Sequence, residues 1–340
     1  MTIKIRSLTF LFISIIGTLF AISLMPFSRD YGVYNNLFNE AAYANGFANS
    51  ISSLELTFST LSYLTKSLFW TSFLLGTVSL SIKLNFFGKL SSFCWIPIVY
   101  YFCRFFILHD ITQIRISCGI SMLILGLLQL YNKKKNAYLF FLLALITHTS
   151  TLLYIPIIIF AVKTKNPQKK LKALLKFTGF FGIAFFLSYI NLFNLLGLDK
   201  YFMLLPDQRL DTYYSETVNY DIPGLFTDVY LYIKIFSLIV LAFGFEKGIN
   251  IKGLNDDLCY IIGIVFVFSL LFFIVFHQFY TIAARLSEIA APFECIIMSL
   301  FIIRFSRITS TNKLNIYVLL LLLIVLCVRL FIAQLPLFYF

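Results

Sequence analysis

Apolar residues run through this chain in long unbroken blocks, separated by short clusters of charged residues. The blocks follow neither the two-residue alternation of a half-buried strand nor the striped period of a soluble surface helix. A helix needs ~20 apolar residues to cross a bilayer. The pattern predicts spans at 5–25, 67–85, 90–108, 111–131, 137–147, 149–162, 174–197, 226–245, 258–276, 284–303 and 315–335. A membrane β-barrel would show alternating segments of ~10 residues instead. Inside hydrocarbon only helices and closed barrels satisfy their own backbone groups, so the expectation is an all-α polytopic membrane protein. It would have about ten or eleven helices in one integral membrane domain covering 1–340. Lys4 and Arg6 followed by 8–25 resemble a signal peptide, but the apolar stretch is long and no small-x-small site follows it. The reading is a retained first helix.

Charge decides how the shorter spans are placed. Lys133, Lys134 and Lys135 precede 137–162, and Lys163, Lys165, Lys169, Lys170, Lys172 and Lys176 follow it. Cytoplasmic loops carry the excess of lysine and arginine. A single crossing would put one cluster outside, whereas a hairpin with its tip at His148-Thr149 keeps both inside. The polar run Thr147-His148-Thr149-Ser150-Thr151 suits such a break. The N-terminus then lies in the cytoplasm with Lys83 and Lys89, and Asp30, Glu40, Glu55, Asp110 and Asp228 count as outer acids. Two outer segments are long, 26–66 and 198–225. In the first, Leu54, Leu56, Phe58, Leu61 and Leu64 alternate with polar residues, which predicts an amphipathic helix on the outer leaflet.

Composition agrees: 60% of residues are hydrophobic and 12% charged, against about 45–50% and about 25% in soluble domains. The net charge of +12 does not indicate nucleic acid, because the basic residues are dispersed between apolar blocks. Cys94, Cys103, Cys118, Cys259, Cys295 and Cys327 all fall within apolar runs, without paired spacing, and read as core residues. No GxxxxGK[ST], HExxH or GxSxG motif occurs, and the three histidines are far apart, so no cofactor or metal centre is expected.

Candidate chemistry collects at four places. Arg29 and Asp30 open the stretch to Phe38, directly after the first span. An acid there can take a proton from a hydroxyl, and the arginine can bind phosphate. Equally, Ser28 or Asp30 can cap a short helix with Tyr31, Tyr34 and Phe38 on its apolar face. Arg115, with Gln113 and Ile114, lies inside the fourth span, where a charge is costly and therefore a functional candidate. It can hold a diphosphate, or snorkel, or pair with Asp110. His148 at the hairpin tip can contact a sugar or phosphate, or be a satisfied structural residue. Arg285 and Glu288 stand three apart on one helix and form either a phosphate clamp or a neutralised pair. Lys66, Arg104, Lys234 and Arg329 are further ionisable groups in or beside apolar segments, and Tyr213, Tyr214 and Tyr220 suit either sugar stacking or a membrane-interface belt.

The order of these motifs resembles the EpsG family of Wzy-like polysaccharide polymerases, which includes O-antigen and capsule polymerases. The likeness rests on Asp30-Tyr31-Gly32-Val33-Tyr34 after the first helix, Glu55 before the second, and Ile114-Arg115 opening a helix that ends in Lys133–Lys135. His148-Thr149-Ser150 follows, and then Arg285 near the last helices. It spans about Arg29 to Arg285 and departs from the pattern at Leu56 and at Ser117-Cys118-Gly119.

The resemblance implies a glycosyltransferase of GT-C-like architecture in the bacterial inner membrane. It would join oligosaccharide repeats carried on undecaprenyl diphosphate at the outer face, in contact with the lipid bilayer and possible partners such as a chain-length regulator. Asp30 and Glu55 would be the catalytic candidates, with Arg29, Tyr34, Arg115, His148, Arg285 and Glu288 on substrate. The alternatives are a transferase of single sugars from a polyprenyl phosphate, and a lipid-linked sugar transporter or flippase. A transporter is disfavoured by the absence of an internal repeat and by the gathering of intramembrane charge toward one face.

Overall fold

A computed structural model describes residues 3–28, 30–50, 56–89, 94–164, 228–246, 256–277, 279–308, 328 and 332. Every regular element among them is helical. Three of these helices are long and apolar enough to cross a membrane by length and composition: Arg6–Phe27, Ile114–Tyr131 and Asp257–Val275. The span expected at 174–197 and the outer segment at 198–225, with Tyr213, Tyr214 and Tyr220, lie outside the described residues. So do Arg329 and nearly all of 315–335. The chain packs as two compact units, the first built mainly from Met1–Val162 and the second from Lys163–Asn250 with Asn255–Met298.

In the first unit α1 (Ile3–Leu24) ends where Pro26 forbids another helical turn, and a short 3-10 turn, Met25–Phe27, comes next. The segment after it then folds as α2 (Tyr31–Ala42), α3 (Phe47–Ser50) and α4 (Leu56–Thr65). Lys66 closes this segment. It sits at φ 50°, its ammonium donates to the Ala42 carbonyl at the end of α2, and it lies 3.9 Å from the Tyr63 ring centroid. Its position answers the orphan carbonyls that every helix C-terminus leaves.

Helix α5 (Leu68–Phe87) is capped by the Ser67 hydroxyl, which accepts from the Trp70 N–H at 3.4 Å. It runs antiparallel to α1. Arg6 donates to the Gly88 carbonyl at one end, and Ser72 meets the Met25 sulfur at the other. Small residues set the approach, as in membrane helix pairs generally: a Cβ on Gly76 would lie 2.7 Å from Thr18, and one on Gly17 2.8 Å from Leu80.

Helix α6 (Trp95–Arg104) leads into a π-helical segment, Ile107–Thr112, before α7 (Ile114–Tyr131) begins. The start of α7 packs beside Gly76, whose added Cβ would be 3.4 Å from the Ile114 side chain. Gly76 is eight residues into α5, so α7 begins about 12 Å along α5 rather than level with its end.

A polar seam joins α5 to α7. The Ser79 hydroxyl meets those of Ser117 and Ser121 at 2.9 and 3.0 Å. Below it the Lys83 ammonium, fully buried, donates to Tyr101 at 2.6 Å, to Asp110 at 3.1 Å and to Ser117. Asp110 in turn accepts from Tyr101 and Ser117, each at 2.6 Å. A buried charge survives only with such a complete set of partners.

Helix α8 (Ala137–Thr147) packs antiparallel to α7, with Phe141 over Gly126 and His148 over Gly119. It stops at His148, whose backbone is extended, and a 3-10 turn (Thr149–Leu153) leads to α9 (Tyr154–Lys163). Pro156 in the first turn of α9 explains the break, since its ring cannot follow a helical residue four positions earlier.

In the second unit α10 (Val229–Glu246) and α11 (Asp256–Val275) run antiparallel, with Leu231, Leu270, Phe273 and Ile274 at their shared core. Then come α12 (Tyr280–Glu288) and α13 (Ala291–Ile308).

Four expectations change. The span at 284–303 is two helices, broken at Ile289-Ala290 because Pro292 occupies the first turn of α13. The boundary between 90–108 and 111–131 is a π segment, not a loop. The expected hairpin has its break at His148, but among the described residues α9 does not pack along α8 as the second arm of a hairpin would. Finally, the charge pattern puts Lys83 on the inner face and Asp110 on the outer, yet they are 3.1 Å apart and buried. Counting assigns each charge to its nearest span end and cannot see two side chains meeting inside.

Lys83→Met should lower stability by about 3–5 kcal/mol, because Asp110 is left buried without its cation, while Lys83→Met with Asp110→Leu should recover most of that loss. Thermal unfolding of the detergent-purified variants checks this, and a double variant no better than the single would contradict it.

Candidate functional site

Helix α2 presents Tyr34 and Phe38, four apart, to the interior, and both are buried. Helix α4 adds Phe58, which meets the Tyr34 ring edge-on at 5.8 Å. From below, α7 contributes Ile114 and Cys118 to the same cluster. Arg115 stands among them. Its guanidinium lies 4.8 Å from the Tyr34 ring centroid and 5.8 Å from that of Phe58. Such contacts hold a cation against neutral ring faces with about 0.5–2 kcal/mol each, more where water is excluded.

One turn further along α7 is Gly119. Its missing side chain admits the turn after α8: a Cβ here would be 3.1 Å from the Cβ of His148 and 3.1 Å from Thr151. The Thr147 hydroxyl, next to His148, meets that of Thr57 on α4 at 3.0 Å. Arg115, Tyr34 and the half-buried His148 are thus gathered by α2, α4, α7 and the turn after α8. Asp30 occupies the N-cap position of α2, and its backbone carbonyl accepts from the Tyr34 N–H at 3.0 Å. Its carboxylate makes no capping hydrogen bond, and the Ser28 hydroxyl instead donates to Met25, so capping is not what either side chain does here. Asp110 belongs to Lys83, Tyr101 and Ser117. Arg29 and Glu55 lie outside the described residues.

The second unit holds Arg285 and Glu288, both half-buried on α12. Beside them is a cluster that sequence reasoning left unassembled. The fully buried Lys234 ammonium donates to Ser269 at 2.8 Å and to the Ser287 carbonyl at 3.2 Å, and lies 4.8 Å from the Tyr230 ring centroid. At the same end of the α10–α11 pair Asp228 faces His277, 3.7 Å apart. The sequence did carry a signal for this pair. Asp228 opens one apolar block and His277 closes the next, which two antiparallel neighbours bring together.

Long apolar helices with cations and hydroxyls packed in their interior define a helical membrane protein with an internal polar site. The chain belongs to the EpsG family, whose pattern matches residues 8–339. Membership points to a role in polysaccharide polymerisation. No curated protein and no solved structure matches the chain.

Gly119→Val would force the His148 turn off α7 and should cost about 1–3 kcal/mol, with Gly119→Ala costing less. Thermal midpoints in detergent read this, and an unchanged midpoint for Gly119→Val would mean that the turn does not rest on α7.

Proposed function

We propose that this protein polymerises oligosaccharide repeats carried on undecaprenyl diphosphate, at the outer face of the bacterial inner membrane, into O-antigen or capsular polysaccharide. The observation that supports the reading is Arg115, held against Tyr34 and Phe58 in the first turn of α7, four residues before the Gly119 that seats His148. In the reaction a hydroxyl of one repeat attacks the anomeric carbon of the other. The bond from that carbon to the diphosphate oxygen breaks, and undecaprenyl diphosphate departs with the electron pair.

Negative charge grows on the leaving diphosphate, and a preorganised guanidinium stabilises that growth. Arg115 fills this role. Arg29, when near the same phosphate, adds to it. Tyr34 keeps the Arg115 fork oriented. Asp30, at the N-cap position of α2, orients or deprotonates the acceptor hydroxyl, and Glu55 is the second candidate for that task. His148 contacts sugar or phosphate. In the second unit Arg285, three residues before Glu288, is itself a candidate phosphate ligand. A GT-C-like arrangement with a long first outer segment suits such chemistry, and a chain-length regulator is a natural partner.

A strain lacking the gene should accumulate single complete repeats on the lipid carrier. Truncated repeats would indicate a transferase of single sugars instead. Replacing Arg115 by alanine should reduce polymer by roughly 10²-fold, as removal of one oxyanion-type donor does. Asp30→Ala, His148→Ala and Arg285→Ala should shorten or abolish ladders at normal membrane abundance. Full ladders from all four normally expressed variants would overturn the assignment.

A further inference from the structure

The buried side of the layer formed by α2, α3 and α4 carries the Arg115 seat, and its other side has a chemistry of its own. Along α2 and its C-cap the exposed positions Asn36, Asn39, Glu40 and Tyr43 recur every three or four residues, opposite the buried Tyr34, Phe38 and Ala41. Asn45, Phe47 and Asn49 continue the exposed surface into α3. A solvated helix face is ordinarily charged as well as polar. Here Glu40 is the one charged residue between Tyr31 and Ser50. Amides take the place of charges, and aromatic rings stand among them. Tyr43 is 71% exposed and Phe47 46%.

The rings form one patch. Tyr43 stands edge-on to the buried Phe38, with centroids 6.5 Å apart. Lys66 donates to the carbonyl of Ala42, the residue before Tyr43, and its ammonium lies 3.9 Å from the Tyr63 centroid. Tyr63 meets Phe47 edge-on at 5.6 Å. Gly46, at φ 100°, makes the turn that returns Phe47 to Tyr63. The rings are therefore held in place before anything binds, which lowers the ordering entropy that binding must overcome. Asn36 and Asn39 make no side-chain hydrogen bond among the described residues, and Asn49 uses only its NH₂ group, on the Asn45 carbonyl at 2.8 Å.

An amide offers donor and acceptor together, and so does every sugar hydroxyl. Stripping water from an amide costs far less than stripping it from a charge. An exposed ring receives the C–H face of a pyranose, and tyrosine with asparagine combines rigid contact area with adaptable hydrogen bonds. A polyanion or an anionic headgroup would call for a cluster of arginine and lysine, of which the patch has Lys66, already engaged. An interfacial helix buries a continuous apolar face in the bilayer, whereas Asn36, Asn39 and Asn49 accompany these rings. We propose that this surface binds sugar rings of the growing oligosaccharide chain. The inference rests on the polymerase reading. Tyr43 is nine residues beyond Tyr34, about 14 Å along the helix, so the sugars it holds are remote from the bond being made beside Arg115. Binding of that kind is the same before and during the reaction, and lowers the half-saturating concentration without raising kcat. Tyr43 and Phe47 are binding residues here, not catalytic ones.

The test uses full-length protein in lipid nanodiscs. The probe is oligosaccharide cut by mild acid from the surface polysaccharide of the same cells, with binding read by saturation-transfer NMR. Wild type should bind it. Tyr43→Ala with Phe47→Ala should bind roughly 5–10-fold more weakly, at an unchanged thermal midpoint because both rings are exposed. Tyr43→Phe keeps the ring and should keep most of the binding. Tyr138→Ala removes an exposed ring from α8 and should change nothing. On lipid-linked repeats the double variant should raise the half-saturating concentration with little change in kcat, a split that general damage to the fold would not give. Should the ring variant fail to fold, Asn36→Ala with Asn39→Ala carries the same expectation of weakened binding. Undiminished binding by the folded variant overturns the inference and leaves the polymerase reading standing. So does a ring variant that binds normally but loses stability in nanodiscs and not in detergent, which would make the rings bilayer anchors. A wild-type protein that polymerises but binds no fragment overturns the inference alone, and one that does neither overturns both.

Discussion

A charge buried among membrane helices has no water to turn to, and the Lys83–Asp110 pair is where this chain meets that constraint. Lys83 comes from α5, Tyr101 from α6, Asp110 from the π segment and Ser117 from α7. Each polar group is satisfied only while all four elements keep their places. Ser79, Ser117 and Ser121 extend the same seam along α5 and α7. Hydrophobic attraction cannot register two apolar helices in lipid, because lipid is as apolar as they are. Hydrogen bonds and close contacts at small residues do that instead. With α7 fixed against α5, the first turn of α7 carries Arg115 to its seat under Tyr34.

The aromatic seat has a complementary logic. Tyr34 and Phe58 come from α2 and α4, which belong to the segment between the first two long helices. Lys66 ties the end of α2 to the start of α5. Thr57 ties α4 to the end of α8. The segment is therefore a folded layer whose inner face is part of the Arg115 environment, rather than a strand of loop passing over it. Its buried positions mix Phe58 with Ser59 and Ser62, while Leu56 and Leu64 point outward.

Much of this could be read in the sequence, and the limits have physical causes. Apolar block length located α1, α7 and α11 because a bilayer crossing imposes one length on all of them. The polar run at Thr147–Thr151 announced the break after α8. Arg115, Tyr34, Asp30 and His148 stood out as polar or ionisable groups at costly places, although nothing one-dimensional showed that Tyr34 and Arg115 touch. The interior pairs were missed for the same reason. Lys83 with Asp110, and Asp228 with His277, join residues 27 and 49 positions apart. A charge count along the chain sorts such residues by face and never pairs them. The proline effects at Pro156 and Pro292 were present in the sequence, but apolar composition masked them within continuous blocks.

The π segment at Ile107–Thr112 carries a further consequence. A π turn holds one residue more than an α turn. Removing a single residue here would let that turn close as an ordinary α turn, so the chain on either side would keep nearly its rotation. Asp110 lies within the segment itself, so its carboxylate would shift away from Lys83 and Tyr101. At this point the number of residues is under tighter constraint than their identity, so insertions and deletions should be far less tolerated than substitutions.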